Sequence, residues 1–176
     1  MPTRPESPRM TYRAARRAFI AACEKAHIDT VARLHPSKGP DGKPLFMDCA
    51  AMGPRHAARA VLVVGHDAAG TDLLIRLLGA VSAPKEARLV LVHAFDPALF
   101  AGAKSDPAWP SAMLGAVATE DLSHVQVLTV ISLAKGGDTL KAAVQEKLPQ
   151  ARIAILPPGS DVAKAQASIT AFFSGG

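Results

Sequence analysis

The chain has 176 residues, 49% of them hydrophobic and 20% charged, with a formal net charge of +5. This is enough apolar material for a sizeable core and too little charge for wholesale disorder, while aromatics at 5% leave Ala, Val, Leu and Ile to fill that core. The basic excess is confined to residues 1–38, with 8 Lys/Arg against 3 Asp/Glu, on a tail and the outer face of one helix (Arg4, Arg9, Arg13, Arg16, Arg17), which does not make a nucleic-acid-binding face.

In chain order, residues 1–10 read as a mobile tail and 11–176 as a single α/β domain. Thr11 is placed to cap a helix to about Ala26, whose stripe Tyr12, Ala15, Phe19, Ala22, Cys23 and Ala26 follows helical spacing and leaves Arg13, Arg16, Arg17 and Glu24 outside. Cys23 then reads as a core thiol. Thr30 to Leu34 and Leu45 to Ala51 form a hairpin around Gly39-Pro40-Asp41-Gly42, where proline fixes φ and glycine accepts a positive one.

Val61 to Val64 is a fully apolar strand running into Gly65-His66-Asp67-Ala68-Ala69-Gly70 and a helix from about Thr71 to Ala80. Arg88 to Ala94 is a second buried strand ending at His93. Residues 95–120, with Pro97, Pro107 and Pro110, read as irregular with room for short helices. Val125 to Leu133 is a third apolar strand, followed by a Gly136-Gly137 turn and a helix from about Asp138 to Lys147. Ala151 to Leu156 is a fourth strand, broken by Pro157-Pro158-Gly159 before a last helix from about Asp161 to Phe173. Apolar strands alternating with helices predict a three-layer α/β fold, its sheet mainly parallel with an antiparallel edge hairpin.

The longest apolar runs, such as Ala60 to Val64, fall far short of the roughly 18 residues a membrane span needs. The start is polar and proline-broken, unlike a secretory signal, and the two cysteines, Cys23 and Cys49, match no zinc-ribbon spacing. A reduced, cytoplasmic protein is the expectation.

In such a sheet, ligands bind beyond the carboxyl ends of the strands. Two spots fall there: the Gly65 to Gly70 turn, with glycines for a sharp bend and free helix amides beyond, and His93 with Asp96 three residues on. As a phosphate loop the turn is weak, because no Lys-Ser/Thr pair follows Gly70. If the two strands are neighbours, His66, Asp67, His93 and Asp96 share one rim and form a candidate ligand site. Imidazole and carboxylate suit zinc; the bland alternative is that both histidines bond backbone at strand ends. His27, His35, His56 and His124 show no ligand spacing and read as ordinary surface or loop residues.

Residues Tyr12 to Ala26, His35-Pro36, Gly39-Pro40-Asp41-Gly42, Pro44-Leu45, Asp48, Gly53-Pro54, Gly65-His66, Arg88 to Ala94, Asp96-Pro97 and Phe100-Ala101 follow one ordered pattern. Over residues 12–102 it resembles a bacterial branch of the zinc carboxypeptidase-like superfamily, related to succinylglutamate desuccinylase and aspartoacylase. The resemblance implies a shortened carboxypeptidase-like architecture and, in the family, hydrolysis by a zinc ion held at an H-x-x-E motif. His66 matches the histidine, but Ala69 stands in the glutamate position, and a methyl group cannot coordinate a metal. Asp96-Pro97 replaces the family's Asn-Pro, and no Asp-Leu-His segment, arginine-rich substrate stretch or general-base glutamate is found.

A second resemblance competes. Gly65-His66-Asp67-Ala68-Ala69 is similar to an α/β-hydrolase nucleophile elbow with Asp67 as nucleophile, and Leu148 to Gly159 is similar to the last strand of such enzymes. Ser160-Asp161 stands where their catalytic histidine would follow. The expectation is therefore a non-catalytic relative acting as a binding or interaction protein, with no cofactor and no zinc. Its expected partner is a second copy in a two-fold dimer, or else another protein or a small polar ligand, and not nucleic acid or membrane. The alternative is a small hydrolase with a metal site rebuilt from His66, Asp67 and His93, or with Asp67 as nucleophile.

Overall fold

The computed structural model describes residues 10–80, 86–133, 137–156 and 161–174. Most of the expected tail, Gly136 and the Pro157-Pro158-Gly159 break lie outside them.

Helix α1 (Tyr12–Lys25) begins where Thr11 Oγ1 accepts the Ala14 amide proton, and it buries Tyr12, Ala15, Phe19 and Cys23. Its end is closed by amides of His27 and Ile28 donating to the carbonyls of Glu24 and Cys23. This closure puts His27 at φ 58, a left-handed position usually given to glycine. Strands β1 (Thr30–Lys38) and β2 (Pro44–Met52) pair antiparallel from Thr30 opposite Ala50 to Lys38 opposite Pro44. Gly42 at φ 75 makes the turn between them, and Arg13 holds that turn from α1 through both carboxylate oxygens of Asp41, at 3.0 Å each.

Strands β3 (Arg59–Val64), β4 (Ala87–His93), β5 (Val127–Leu133) and β6 (Arg152–Leu156) complete one sheet in the order β1-β2-β4-β3-β5-β6. β4, β3, β5 and β6 run parallel, and β2 joins β4 antiparallel, so the hairpin occupies one edge as the sequence implies. Helices α1, α2 (Ala68–Ala80) and α6 (Val162–Ser174) cover one face, packing Phe19, Leu74, Leu77 and Ile169 against Val61, Val63, Leu89 and Leu91. Helices α4 (Trp109–Asp121) and α5 (Gly137–Lys147) cover the other, packing Trp109, Leu114, Val117 and Leu140 against Leu62, Val64, Val90 and Val130. The fold is therefore three-layered α/β.

Two expectations need correction. α2 starts at Ala68, not Thr71, because Asp67 caps it. The stretch 95–120 holds the short α3 (Pro97–Ala101) but also the thirteen-residue α4. Both helices carry proline in the first turn, where the missing N–H has no intrahelical partner to lose, so proline starts these helices instead of breaking them.

The two cysteines are free and buried on opposite faces of the sheet, Cys23 under α1 and Cys49 beneath α4. Burial pushes the Cys23 thiol up to about 11 and the Cys49 thiol up to about 12, so both are core groups with little thiolate character. Among the described residues no helix is long and apolar enough to cross a membrane.

Candidate functional site

The chain passes from β3 through α2 to β4 on one side, then through α3 and α4 to β5 on the other side of β3. The sheet order reverses beside β3, and folds of this kind bind ligands beyond the carboxyl ends of the strands at such a switch point, here β3, β4 and β5. His66, Asp67, His93 and Asp96 all lie at this end, as the sequence implies.

Gly65 joins the strands at the rim: its amide donates to Val92 O at 2.9 Å, and its carbonyl accepts the Phe95 amide at 3.1 Å. A Cβ there would stand 3.1 Å from Leu74 Cδ1 and 3.3 Å from the Gly70 carbonyl carbon, so glycine lets the first turn of α2 approach. Asp67 Oδ1 accepts the Gly70 amide proton at 2.9 Å, while its backbone carbonyl takes both the amide and the hydroxyl of Thr71. Asp67 is thus the cap of α2, with an ordinary negative-φ backbone; the positive-φ non-glycines among the described residues are His27 and Ala94.

The Thr71 hydroxyl lies 2.8 Å from His93 Nε2. The same hydroxyl lies 3.0 Å from the Asp67 carbonyl, so which group donates across the Thr71–His93 contact follows the imidazole tautomer, and the ring's other nitrogen is Nδ1. That Nδ1 is buried and finds no partner among the described residues. The ring stacks on Phe19, with centroids 4.9 Å apart and planes 13° from parallel. Burial, aided by the nearby Arg16 cation, pulls the His93 imidazole down to about 4.

His66 points to the opposite face. Its Nε2 is 2.9 Å from Ser132 Oγ, at the end of β5 on the α4/α5 side, and its ring lies nearly perpendicular to that of Phe95, with centroids 6.0 Å apart. Burial lowers its pKa, opposed by the charges of Asp67 and Asp96. Asp96 caps α3 through the amides of Ala98 and Leu99, and its second oxygen accepts the Ser105 hydroxyl. His35, read from sequence as a surface or loop histidine, is instead buried in β1 with its ring 4.4 Å from that of Trp109. Its Nδ1 accepts the Ser37 amide, so Nε2 carries the proton and faces Asp96 Oδ1 at 3.8 Å.

The four predicted residues therefore share one end of the sheet but divide between its faces. His93 and Asp67 join through Thr71 on the α1/α2 side, and His66 meets Ser132 on the other. Ser132, Thr71 and His35 escaped the sequence reading; Ser132 ends an apolar strand much as His93 does, a signal that could have marked it. The residues do not fit a zinc site of the carboxypeptidase kind: Ala69 offers a methyl, and His93 faces away from His66. Among the described residues no group of three or more His, Cys, Asp or Glu is arranged to hold a metal ion.

The buried imidazole has a consequence for acid stability. The unfolded chain takes up a proton near pH 6.5 that the folded His93 refuses until about pH 4. The contribution of His93 to stability is therefore fully present above pH 6.5 and is lost as pH drops through that window, by roughly 3 kcal/mol. In His93→Phe, which keeps the stack on Phe19 and leaves the Thr71 hydroxyl donating to Asp67, urea midpoints measured from pH 7 to 4 are expected to fall less steeply. An unchanged slope would contradict the assignment.

The sequence matches the model of a family described as "Protein of unknown function (DUF2817)" over residues 9–104. That is more than half the chain, and the protein belongs to this family. No curated protein matches it. Among solved structures it is similar to an aspartoacylase family protein from Mesorhizobium loti, at 12% identity over 82% of this chain and 66% of that one, with a TM-score of 0.50. It is also similar to a glutaminyl cyclase from Macrostomum lignano, at 11% identity over 90% of this chain and 68% of that one (TM-score 0.47). A carboxylesterase from Bacillus subtilis aligns at 14% identity over 81% of this chain and 47% of that one (TM-score 0.44). The chain thus spans about half the length of the carboxylesterase. The aspartoacylase-family likeness agrees, as a matter of fold, with the resemblance carried by residues 12–102.

Proposed function

We propose that this chain is a metal-site-degenerate relative of zinc carboxypeptidase-like hydrolases, of the branch related to succinylglutamate desuccinylase and aspartoacylase, and acts by binding instead of catalysis. One observation carries the reading: the rim's polar groups are spent on local architecture. Asp67 and Asp96 cap α2 and α3, and His93 is sealed between Phe19 and Thr71. Catalysis needs a nucleophile, a base and charge stabilisation converging on one point; here those groups face different layers. The part-exposed His66 is the proposed contact point for a small polar ligand, and a second copy of the chain is the first protein partner to test.

Restoring the missing carboxylate checks this reading. In Ala69→Glu, zinc-supplemented assays on N-acyl amino acids are expected to show no turnover, because the third ligand, base and substrate-binding arginines have no counterpart. Zinc-dependent turnover by that variant, or by the parent chain, would overturn it.

The His66–Ser132 contact favours one second reading, a serine hydrolase using this pair at the switch point. Ser132 Oγ is fully buried, which opposes attack on a substrate. Stoichiometric labelling of Ser132 by a fluorophosphonate would favour that reading over binding.

A further inference from the structure

At the opposite end of the sheet, two histidines 68 positions apart in sequence meet. His56, before β3, and His124, before β5, are both exposed, with ring centroids 5.1 Å apart and planes at 70°. We propose that they form a two-imidazole site for a late first-row divalent cation, of the zinc, nickel and copper class.

The distance suits that chemistry. Two imidazoles on one tetrahedral ion, each at the usual nitrogen–metal distance of about 2.0–2.1 Å, hold their ring centres roughly 5 Å apart. Rotation about each metal–nitrogen bond leaves the ring planes independent, so 70° is compatible with shared coordination. Imidazole selects this class of ion over magnesium or calcium, which prefer oxygen.

The pair is also built, because the segments that carry it are braced together. His56 is the third residue of a turn closed by the Ala57 amide donating to Pro54 O at 3.2 Å. His124 holds the same place in a turn closed by the Val125 amide on Leu122 O at 3.1 Å. The Ala58 carbonyl accepts the amides of both Gln126 and Val127, at 2.7 and 3.0 Å, tying one segment to the other. Behind them the nearly buried Arg88 donates to Gly53 O at 3.0 Å and to Asp121 Oδ1 at 2.9 Å, linking the start of the first segment to the end of α4. An ion binding here meets two backbone segments already joined, so only the two side chains need ordering. Two protein ligands leave the remaining coordination positions to water or to a donor from a bound partner, so the site is open.

The test is titration of the untagged full chain with Zn²⁺ alone, followed by calorimetry and by imidazole nitrogen shifts in NMR. One ion per chain is expected, with the shifts confined to His56 and His124. His56→Ala and His124→Ala should each weaken the apparent affinity at least tenfold. His27→Ala, altering another exposed histidine, should leave it unchanged. Both test residues are exposed, so the variants should fold, and their urea midpoints verify this. No binding by the parent chain, equal affinity in the alanine variants, or shifts at His66 instead would overturn the site.

Discussion

Replacing Gly53 with alanine is expected to destabilise the fold by about 3 kcal/mol or more, among the largest effects open to a single methyl group. Gly53 sits at the end of β2 with φ 94, and a Cβ there would fall 2.2 Å from the Ala87 carbonyl oxygen. That oxygen is backbone at the start of the central strand β4, so it cannot move without disturbing the β3–β4 pairing of Arg59 with Ala87. The Gly53 carbonyl also receives Arg88, so a shift would loosen a nearly buried arginine. Gly42→Ala is the control. Its φ of 75 is equally left-handed but nothing lies within 4 Å, so only the conformational cost of about 1–2 kcal/mol remains. Urea denaturation of both variants checks the difference; equal losses would mean that the Ala87 contact does not matter.

Arg16→Leu is expected to cost about 3 kcal/mol, far more than the loss of an ordinary helix-surface arginine. Asp48 is fully buried in β2, and Arg16 reaches it from α1 with Nε at 2.8 Å and Nη2 at 3.1 Å. The same guanidinium lies 4.5 Å over the Phe46 ring. Removing it strands a carboxylate inside the protein beside His93, its register partner on β4. Replacing both members of a buried pair by apolar groups commonly restores much of the loss. The double variant Arg16→Leu, Asp48→Leu should therefore unfold at higher urea than Arg16→Leu alone, and a double variant weaker than the single would contradict this account.

Arg16 also marks a limit of sequence reading. Its place outside the apolar stripe of α1 suggests a solvated face, yet Arg13 and Arg16 both reach over the hairpin, to Asp41 and Asp48. Helical periodicity reports where apolar stems go, not how far a long cationic side chain extends. The strands were legible because β3 and β4 are unbroken apolar runs, and the hairpin because Gly39 to Gly42 leaves little alternative to a turn. α4 was not: its apolar residues form no clear stripe, and Pro110 in its first turn looks like a breaker. The site was half legible. That His66, Asp67, His93 and Asp96 lie at one end follows from strand ends alone. Their division between two faces depends on how the chain turns after each strand, where Gly65 and the left-handed Ala94 set the direction. The His56–His124 pair had no sequence signal, because loops 68 positions apart meet only through the β3–β5 pairing.

The most direct test of the central claim, that the rim is no catalytic metal centre, is elemental analysis of the untagged chain carrying His56→Ala and His124→Ala. The two substitutions remove the proposed loop site from the count. After dialysis against a mild chelator, zinc is predicted to be far below one equivalent, since Ala69 supplies no donor and His66 and His93 face opposite layers. Near-equimolar zinc that survives the dialysis would contradict the account and return a metal to the rim.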